Sequence, residues 1–307
     1  MHRYTSLDGV ELQDSWLTIG VFDGVHRGHQ QIMNRLTAGA HAAGASAVVL
    51  TFQPHPAVVL GGRDIRCLTT AEERAELLAA CGIDILITEP FTRELSQVTA
   101  QDFMQQLKTR LGLRHLLIGY DFALGHEREG NASRLAVIGR DLGFGVEIVD
   151  KVGDESGAIS STEIRKLVSL GQVAEAANLL GHTYSLSGLV VHGDGRGRRI
   201  NIPTANLAYS PDKILPANGI YACWALTGGS QYRAAVNIGI NPTFTPDKST
   251  PNVEAHFLDF DTEIYGRLIR LEFVSRLRDE LRFPSVDGLL TQIHADIDQV
   301  RALLPIP

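Results

Sequence analysis

The feature that most restricts this chain is a change of rhythm near Leu180. Before it, short apolar runs alternate with helical patterns. The stretches Trp16 to Phe22, Ser46 to Phe52, Ile83 to Thr88, His115 to Gly119 and Gly145 to Val149 read as strands. Between them, Ile32, Leu36 and Ala40 share one helical face, and Ala71 to Cys81, Ala100 to Leu111 and Asn131 to Leu142 read as helices. Such alternation predicts an α/β domain, a parallel sheet with helices on both faces. After Leu180 the strand patterns follow one another without helices: Leu186 to Val191, Tyr221 to Leu226, Tyr232 to Ile238, Val253 to Phe260 and Leu268 to Phe273. Thr227-Gly228-Gly229-Ser230 between two of them is a hairpin signal. An antiparallel barrel or sandwich is expected. A last helix follows, with Leu289, Ile293, Ile297, Val300 and Leu304 in register and Ser285 placed to cap it. The expected organisation is an α/β domain over 1–180, ending in a helical connector over Ile164 to Leu180, and a β domain over 181–307.

A chain of 307 residues that is 44% hydrophobic can bury two cores. Its net charge of −7 argues against a nucleic-acid partner held by the overall field. Cys67, Cys81 and Cys223 are scattered and show no metal or redox spacing, as expected for reduced thiols. The first residues lack the apolar core of a secretory signal, and no apolar run approaches the roughly 20 residues a bilayer requires. The expectation is a cytoplasmic protein with no membrane partner.

The sharpest local signal is Gly20-Val21-Phe22-Asp23-Gly24-Val25-His26-Arg27-Gly28-His29, at a junction from strand to helix. A helix N-terminus offers free N–H groups and the positive end of the dipole, both favourable to phosphate. Gly24 and Gly28 let the backbone approach a ligand, and His26 and His29 can donate to phosphate oxygens as charge builds during displacement. An ordinary Asp-Gly turn explains less of this pattern. A zinc site would require further ligands, which do not accompany the pair.

Ile159-Ser160-Ser161-Thr162-Glu163-Ile164-Arg165 opens a second helix. Ser160 with Glu163 fits a capping box, but Arg165 in the first turn opposes the dipole unless an anion sits there. In the β domain, His192-Gly193-Asp194-Gly195-Arg196-Gly197-Arg198-Arg199 can wrap phosphates through backbone N–H groups and guanidinium forks, or can be a basic surface loop. Ile202-Pro203-Thr204-Ala205-Asn206-Leu207 reads as a turn or strand entry with two polar side chains. Their oxygens suit Mg²⁺ held mainly by phosphates. The residues by themselves point to a two-domain, phosphate-handling enzyme.

These blocks resemble a known family. His26-Arg27-Gly28-His29 with Ser160 to Arg165 is similar to the His-x-Gly-His nucleotidyltransferases. The whole chain resembles the bacterial bifunctional riboflavin kinases/FAD synthetases, with Thr51 to Pro56, Gly119-Tyr120-Asp121-Phe122, Gly125, Gly130 and Asn131 matching further blocks. The resemblance implies a Rossmann-like FMN adenylyltransferase domain followed by a riboflavin kinase barrel with a terminal helix. It implies riboflavin, FMN and ATP as partners and Mg²⁺ as cofactor. It makes His26, His29 and Arg165 catalytic for adenylyl transfer, and Glu254 the base for the kinase. Gly20, Phe22, Asp23, Gly24, Gly28, Ser161, Thr162, Gly193, Gly195 and Arg198 would bind ATP. Asp121, Phe122, Asn131 and Arg278 would bind flavin, and Thr204 and Asn206 the metal. Asn237-Ile238-Gly239 with Pro242-Thr243-Phe244 matches one more kinase block. Four positions depart from the pattern: Ala123 and Leu124 stand where arginine and phenylalanine are usual, Gln53 where an acid is common, and Asn201 where glycine is general. The arginine's loss at 123 would weaken the hold on the FMN phosphate.

Overall fold

The computed structural model describes residues 1–61, 65–150, 153–154, 157–193, 197, 200, 202–239 and 251–305. The contacts divide the chain into two units, 1–65 with 69–161, and 66–68 with 162–307.

The first unit holds a parallel sheet of six strands in the order β1-β4-β3-β2-β5-β8. These are β1 (His2–Tyr4), β2 (Ser15–Ile19), β3 (Ser46–Gln53), β4 (Ile85–Pro90), β5 (Leu113–Gly119) and β8 (Gly145–Val149). A short pair, β6 (Ala123–Leu124) and β7 (Gly130–Asn131), lies between β5 and β8 in sequence, and β9 (Gly153–Asp154) with β10 (Gly157–Ala158) follows. The helices are α1 (Arg27–Ala42), α2 (Pro56–Gly61), α3 (Ala71–Ala80), α4 (Ala100–Leu111) and α5 (Ala132–Leu142). Both sheet faces are apolar, so neighbouring residues of one strand enter different cores. Leu17, Val48, Leu50, Ile87, Leu116 and Ile118 pack with Phe103 and Met104 of α4 and Leu135 of α5. Val49, Leu86 and Leu117 pack with Met33 and Leu36 of α1 and Leu78 of α3. This two-sided burial is what parallel strands require.

Local chemistry sets the ends. Thr70 and Glu73 form a full capping box on α3, Thr99 caps α4, and Asn131 caps α5. Gly112 ends α4 in the left-handed region, and a Cβ there would lie 2.0 Å from the Gln13 carbonyl oxygen. The strand expected over Trp16 to Phe22 stops at Ile19, because Phe22, Gly24 and Val25 all take positive φ and turn the chain. The strand β1 was not anticipated; three exposed residues carry no burial pattern.

The second unit contains α6 (Ser161–Ser169), α7 (Val173–Leu180) and a closed barrel in the order β11-β12-β15-β14-β13-β16. Its strands are β11 (Tyr184–Val191), β12 (Ala205–Tyr209), β13 (Gly219–Thr227), β14 (Ser230–Gly239), β15 (Asn252–Phe257) and β16 (Leu268–Arg278), and α8 (Val286–Leu303) follows. The sequence pattern places the boundary at 180/181. By contacts α6 and α7 group with the barrel, since α7 packs on β11 and β16. Gly228 and Gly229 both have positive φ, as a two-residue hairpin turn demands. The strand expected to run to Phe260 ends at Phe257, where Asp259 takes φ 57. β16 runs five residues beyond Phe273 to reach α8. Ser285 caps α8 through the Gly288 N–H at 3.2 Å.

Candidate active sites

In the first unit the chain leaves β2 to build β3 and β4 on one side, then returns to β5 on the other. Ligands of doubly wound sheets bind beyond the carboxyl ends of strands at such a reversal. The segment Gly20 to His29 occupies that place. A Cβ on Gly20 would lie 2.8 Å from the Phe22 ring. Asp23 is buried, and its Oδ1 accepts from the Thr69 N–H at 3.0 Å and the Thr69 hydroxyl at 3.2 Å. The Gly24 N–H donates to Thr69 Oγ1 at 3.1 Å. Part of Asp23 therefore latches the turn, in addition to any contact with nucleotide.

His26 is the N-cap of α1, and its Nδ1 accepts from the His29 N–H at 3.4 Å. In the neutral ring this leaves the proton on Nε2. The two imidazoles stack with centroids 3.6 Å apart, and Phe22 meets His29 edge-on at 5.2 Å. Burial lowers the His26 pKa to about 4, against the opposing pull of Asp23. Burial, then the neighbouring His26, holds His29 well below the usual histidine range. At neutral pH both rings are uncharged donors beside the free N–H groups of α1. Among the described residues His29 Nδ1 is buried without a hydrogen-bond partner.

One residue of the second motif, Ser161, meets the first. The Ser161 hydroxyl donates to the Asp23 carbonyl at 2.9 Å. Thr162 and Arg165 follow on α6, Arg165 one helical turn beyond Ser161 on the same face. Gly28 lies in the first turn of α1. On the loop after β5, Asp121 is exposed and Phe122 packs partly into the core. Asn131 Oδ1 accepts from the Arg134 N–H at 3.0 Å, so its oxygen serves the helix cap.

The barrel carries the second site. Cross-strand registers align Asn206 with Glu254, Glu254 with Asn237, Asn237 with Ile220, and Ile220 with Arg278. One row thus runs across β12, β15, β14, β13 and β16. All five residues line a cavity of about 400 Å³, walled further by Ile202, Phe283 and Leu289. The Thr204 hydroxyl lies 3.4 Å from Glu254 Oε2. His256 Nδ1 donates to the Pro203 carbonyl at 2.8 Å and fixes the approach to Thr204. A Cβ on Gly193 would lie 2.2 Å from Asn206 Nδ2, so this glycine makes room for the Asn206 amide. Thr204 also lines a neighbouring cavity of about 380 Å³, with Phe257, Phe260 and Tyr265 among its walls. Gly195, Arg198, Asn201 and Pro242-Thr243-Phe244 lie outside the described residues.

Arg278 grips Asp296 of α8 with a two-pronged pair, 2.8 Å from Nε and 2.6 Å from Nη2, and Nη1 donates to the Asp279 carbonyl at 2.8 Å. Its guanidinium is largely occupied in holding the helix over the cavity. The resemblance places the final helix around Gln292 to Asp298 with Arg278 at the flavin-covering end, and Asp296 of that stretch lines the cavity; Glu280, which also lines it, carries no signal in the sequence. Burial raises the Glu280 pKa, while a hydrogen bond from Asn237 and the charge of Arg278 work the other way. A lone acid in a loop carries no periodic signal, so only the folded cavity reveals it.

The FAD synthetase family description matches residues 9–163, and the riboflavin kinase description matches residues 180–304. A bifunctional riboflavin kinase/FMN adenylyltransferase from Listeria monocytogenes is 38% identical, covering 93% of this chain and 91% of its own. The protein of the same name from Escherichia coli K12 is 35% identical, covering 91% and 90%. A solved structure from Streptococcus pneumoniae, named a macrolide-efflux protein, superimposes with a TM-score of 0.89 at 32% identity, covering 97% of this chain and 98% of the other.

Proposed function

The chain belongs to the family of bifunctional riboflavin kinases/FMN adenylyltransferases, and from that membership and its two sites we propose that it phosphorylates riboflavin to FMN and then adenylylates FMN to FAD. The observation that carries the kinase half is the row of Asn206, Glu254 and Asn237 in a cavity of about 400 Å³. That volume lies in the range of small-molecule sites. Apolar Ile202, Ile220, Phe283 and Leu289 suit a flat ring system, and the polar row suits a hydroxylated tail.

In the first reaction Glu254 takes the proton of the riboflavin 5′-hydroxyl as that oxygen attacks the γ-phosphorus of ATP, and ADP leaves. Nucleotide enters from the neighbouring cavity, so that the phosphates reach Thr204, which lines both cavities. The oxygens of Thr204 and Asn206 are hard donors beside a carboxylate, a set that fits Mg²⁺. When bound, that ion neutralises charge on the phosphates. Gly193, Gly195 and Arg198 are assigned to the ATP phosphates.

In the second reaction a phosphate oxygen of FMN attacks the α-phosphorus of ATP, and pyrophosphate leaves. His26 and His29 donate to the phosphates as neutral imidazoles, supported by the α1 N-terminus. Ser161, Thr162 and Arg165 hold the leaving group, and Gly20, Phe22, Asp23, Gly24 and Gly28 shape the turn around ATP. Asp121, Phe122 and Asn131 face the flavin. Catalysis rests on positioning and charge stabilisation, with no covalent enzyme intermediate. The pneumococcal relative's name speaks of efflux; among the described residues here, no helix is long and apolar enough to cross a membrane.

The test is chromatographic separation of flavins after incubation with riboflavin, ATP and Mg²⁺. FMN followed by FAD is expected. FMN that accumulates without FAD, even from added FMN, would reduce the protein to a kinase, with Ala123 the first suspect.

A further inference from the structure

We propose that Asn237 reads the ribityl hydroxyl next to the one being phosphorylated, and that Glu280 is the positioning residue that orients the Asn237 amide for this. The inference rests on the kinase reading above. Asn237 stands directly across from Glu254 in the β14–β15 register, and both line the cavity. Side chains so paired are near neighbours on one face of a sheet.

The two ends of the Asn237 amide have different fates. Asn237 and Glu280 line the same cavity, and the Asn237 side chain acts on the Glu280 carboxyl as a hydrogen-bond donor does, lowering its pKa against the effect of burial. A carboxylate only accepts, so the amide nitrogen must face Glu280 and the oxygen must face away. That oxygen, Oδ1, is buried and has no hydrogen-bond partner among the described residues. An acceptor shut away from water without a donor is disfavoured, and a ligand hydroxyl would relieve it. Glu280 is seated for its part by Gly239: a Cβ at that position would lie 1.9 Å from Glu280 Oε1. Glycine at 239 leaves the room that the carboxylate fills.

The chemistry of the substrate selects the donor. With the 5′-hydroxyl at Glu254, the 4′-hydroxyl is one carbon away, and Asn237 is the polar neighbour one strand away. The ring N3–H of the flavin lies at the far end of the molecule and cannot serve both positions. Asn237 would therefore recognise a polyol chain rather than the ring, and would fix the 5′-oxygen beside its base.

The experiment compares phosphorylation of riboflavin and 4′-deoxyriboflavin by the full chain, by Asn237→Leu and by Glu280→Gln. The wild-type protein is expected to lose about tenfold or more in kcat/KM on the deoxy analogue, because the site leaves a buried acceptor unpaired. Asn237→Leu should be poor on both and discriminate little between them. Glu280→Gln offers both a donor and an acceptor to Asn237, so the amide is no longer held one way and the ratio should fall. A purely structural role would slow both substrates alike and leave the ratio unchanged. Wild-type ratios in both variants would overturn the proposal, as would a wild-type protein indifferent to the missing hydroxyl. If Asn237→Leu fails to fold, the ratio in Glu280→Gln decides. No FMN from the wild-type protein would bring down the kinase reading itself, and this inference with it.

Discussion

At the scale of single residues, the His26-His29 stack has the most direct consequence. The unfolded His26 titrates near 6.5, whereas burial holds the folded one near 4. As pH falls through that window the unfolded state takes up a proton that the folded state refuses, so stability present above 6.5 is progressively lost. His26 alone should account for on the order of 3 kcal/mol between those limits. Urea midpoints measured across that pH range should fall more steeply for the wild-type protein than for His26→Gln. Equal slopes would show that the imidazole is not held neutral. The His-x-Gly-His spacing was readable because it depends on residues three apart at one helix start. The neutral state of the two rings and, among the described residues, the partnerless His29 Nδ1 were not, because they follow from burial in the folded chain.

At the scale of elements, the terminal helix shows how a recognisable pattern acquires a function. Its apolar spacing and Ser285 cap are local and could be read in advance. The Asp296 carboxylate, which accepts from Arg278 and from Gln292 at 2.9 Å, could not. Asp296 is buried, so Asp296→Ala leaves a guanidinium without its counter-charge and loosens α8 from the end of β16. A loss of about 3 kcal/mol in unfolding free energy is expected. The KM for riboflavin should rise with it, because α8 walls the cavity. Unchanged KM in a folded variant would mean that the helix does not cover the substrate. The same contrast applies to β12: Thr204 and Asn206 stand out as polar side chains at a turn or strand entry, but five residues give too little periodicity to delimit the strand Ala205–Tyr209.

At the scale of the whole molecule, two units with separate sites should separate kinetically. His29→Ala should lower FAD formation from FMN by about 10²- to 10³-fold and leave FMN formation from riboflavin intact. Glu254→Gln should lower FMN formation by about 10²- to 10⁴-fold and spare adenylylation of added FMN. Loss of both steps together in either variant would contradict two independent sites. The sequence by itself determined the class of each unit, most of the longer helices and strands, the hairpin turn, and the two strongest motifs. All of these depend on side-chain period and on backbone preferences within a few residues. Only the tertiary structure decided that Asn206, Glu254, Asn237, Ile220 and Arg278 form one row. It also decided that Ser161 reaches the Asp23 carbonyl, and that Glu280 and Asp296 belong to the cavity. The reason is physical: register between strands tens of residues apart is set by closure of the barrel and burial of its interior face. No local window of sequence carries that information.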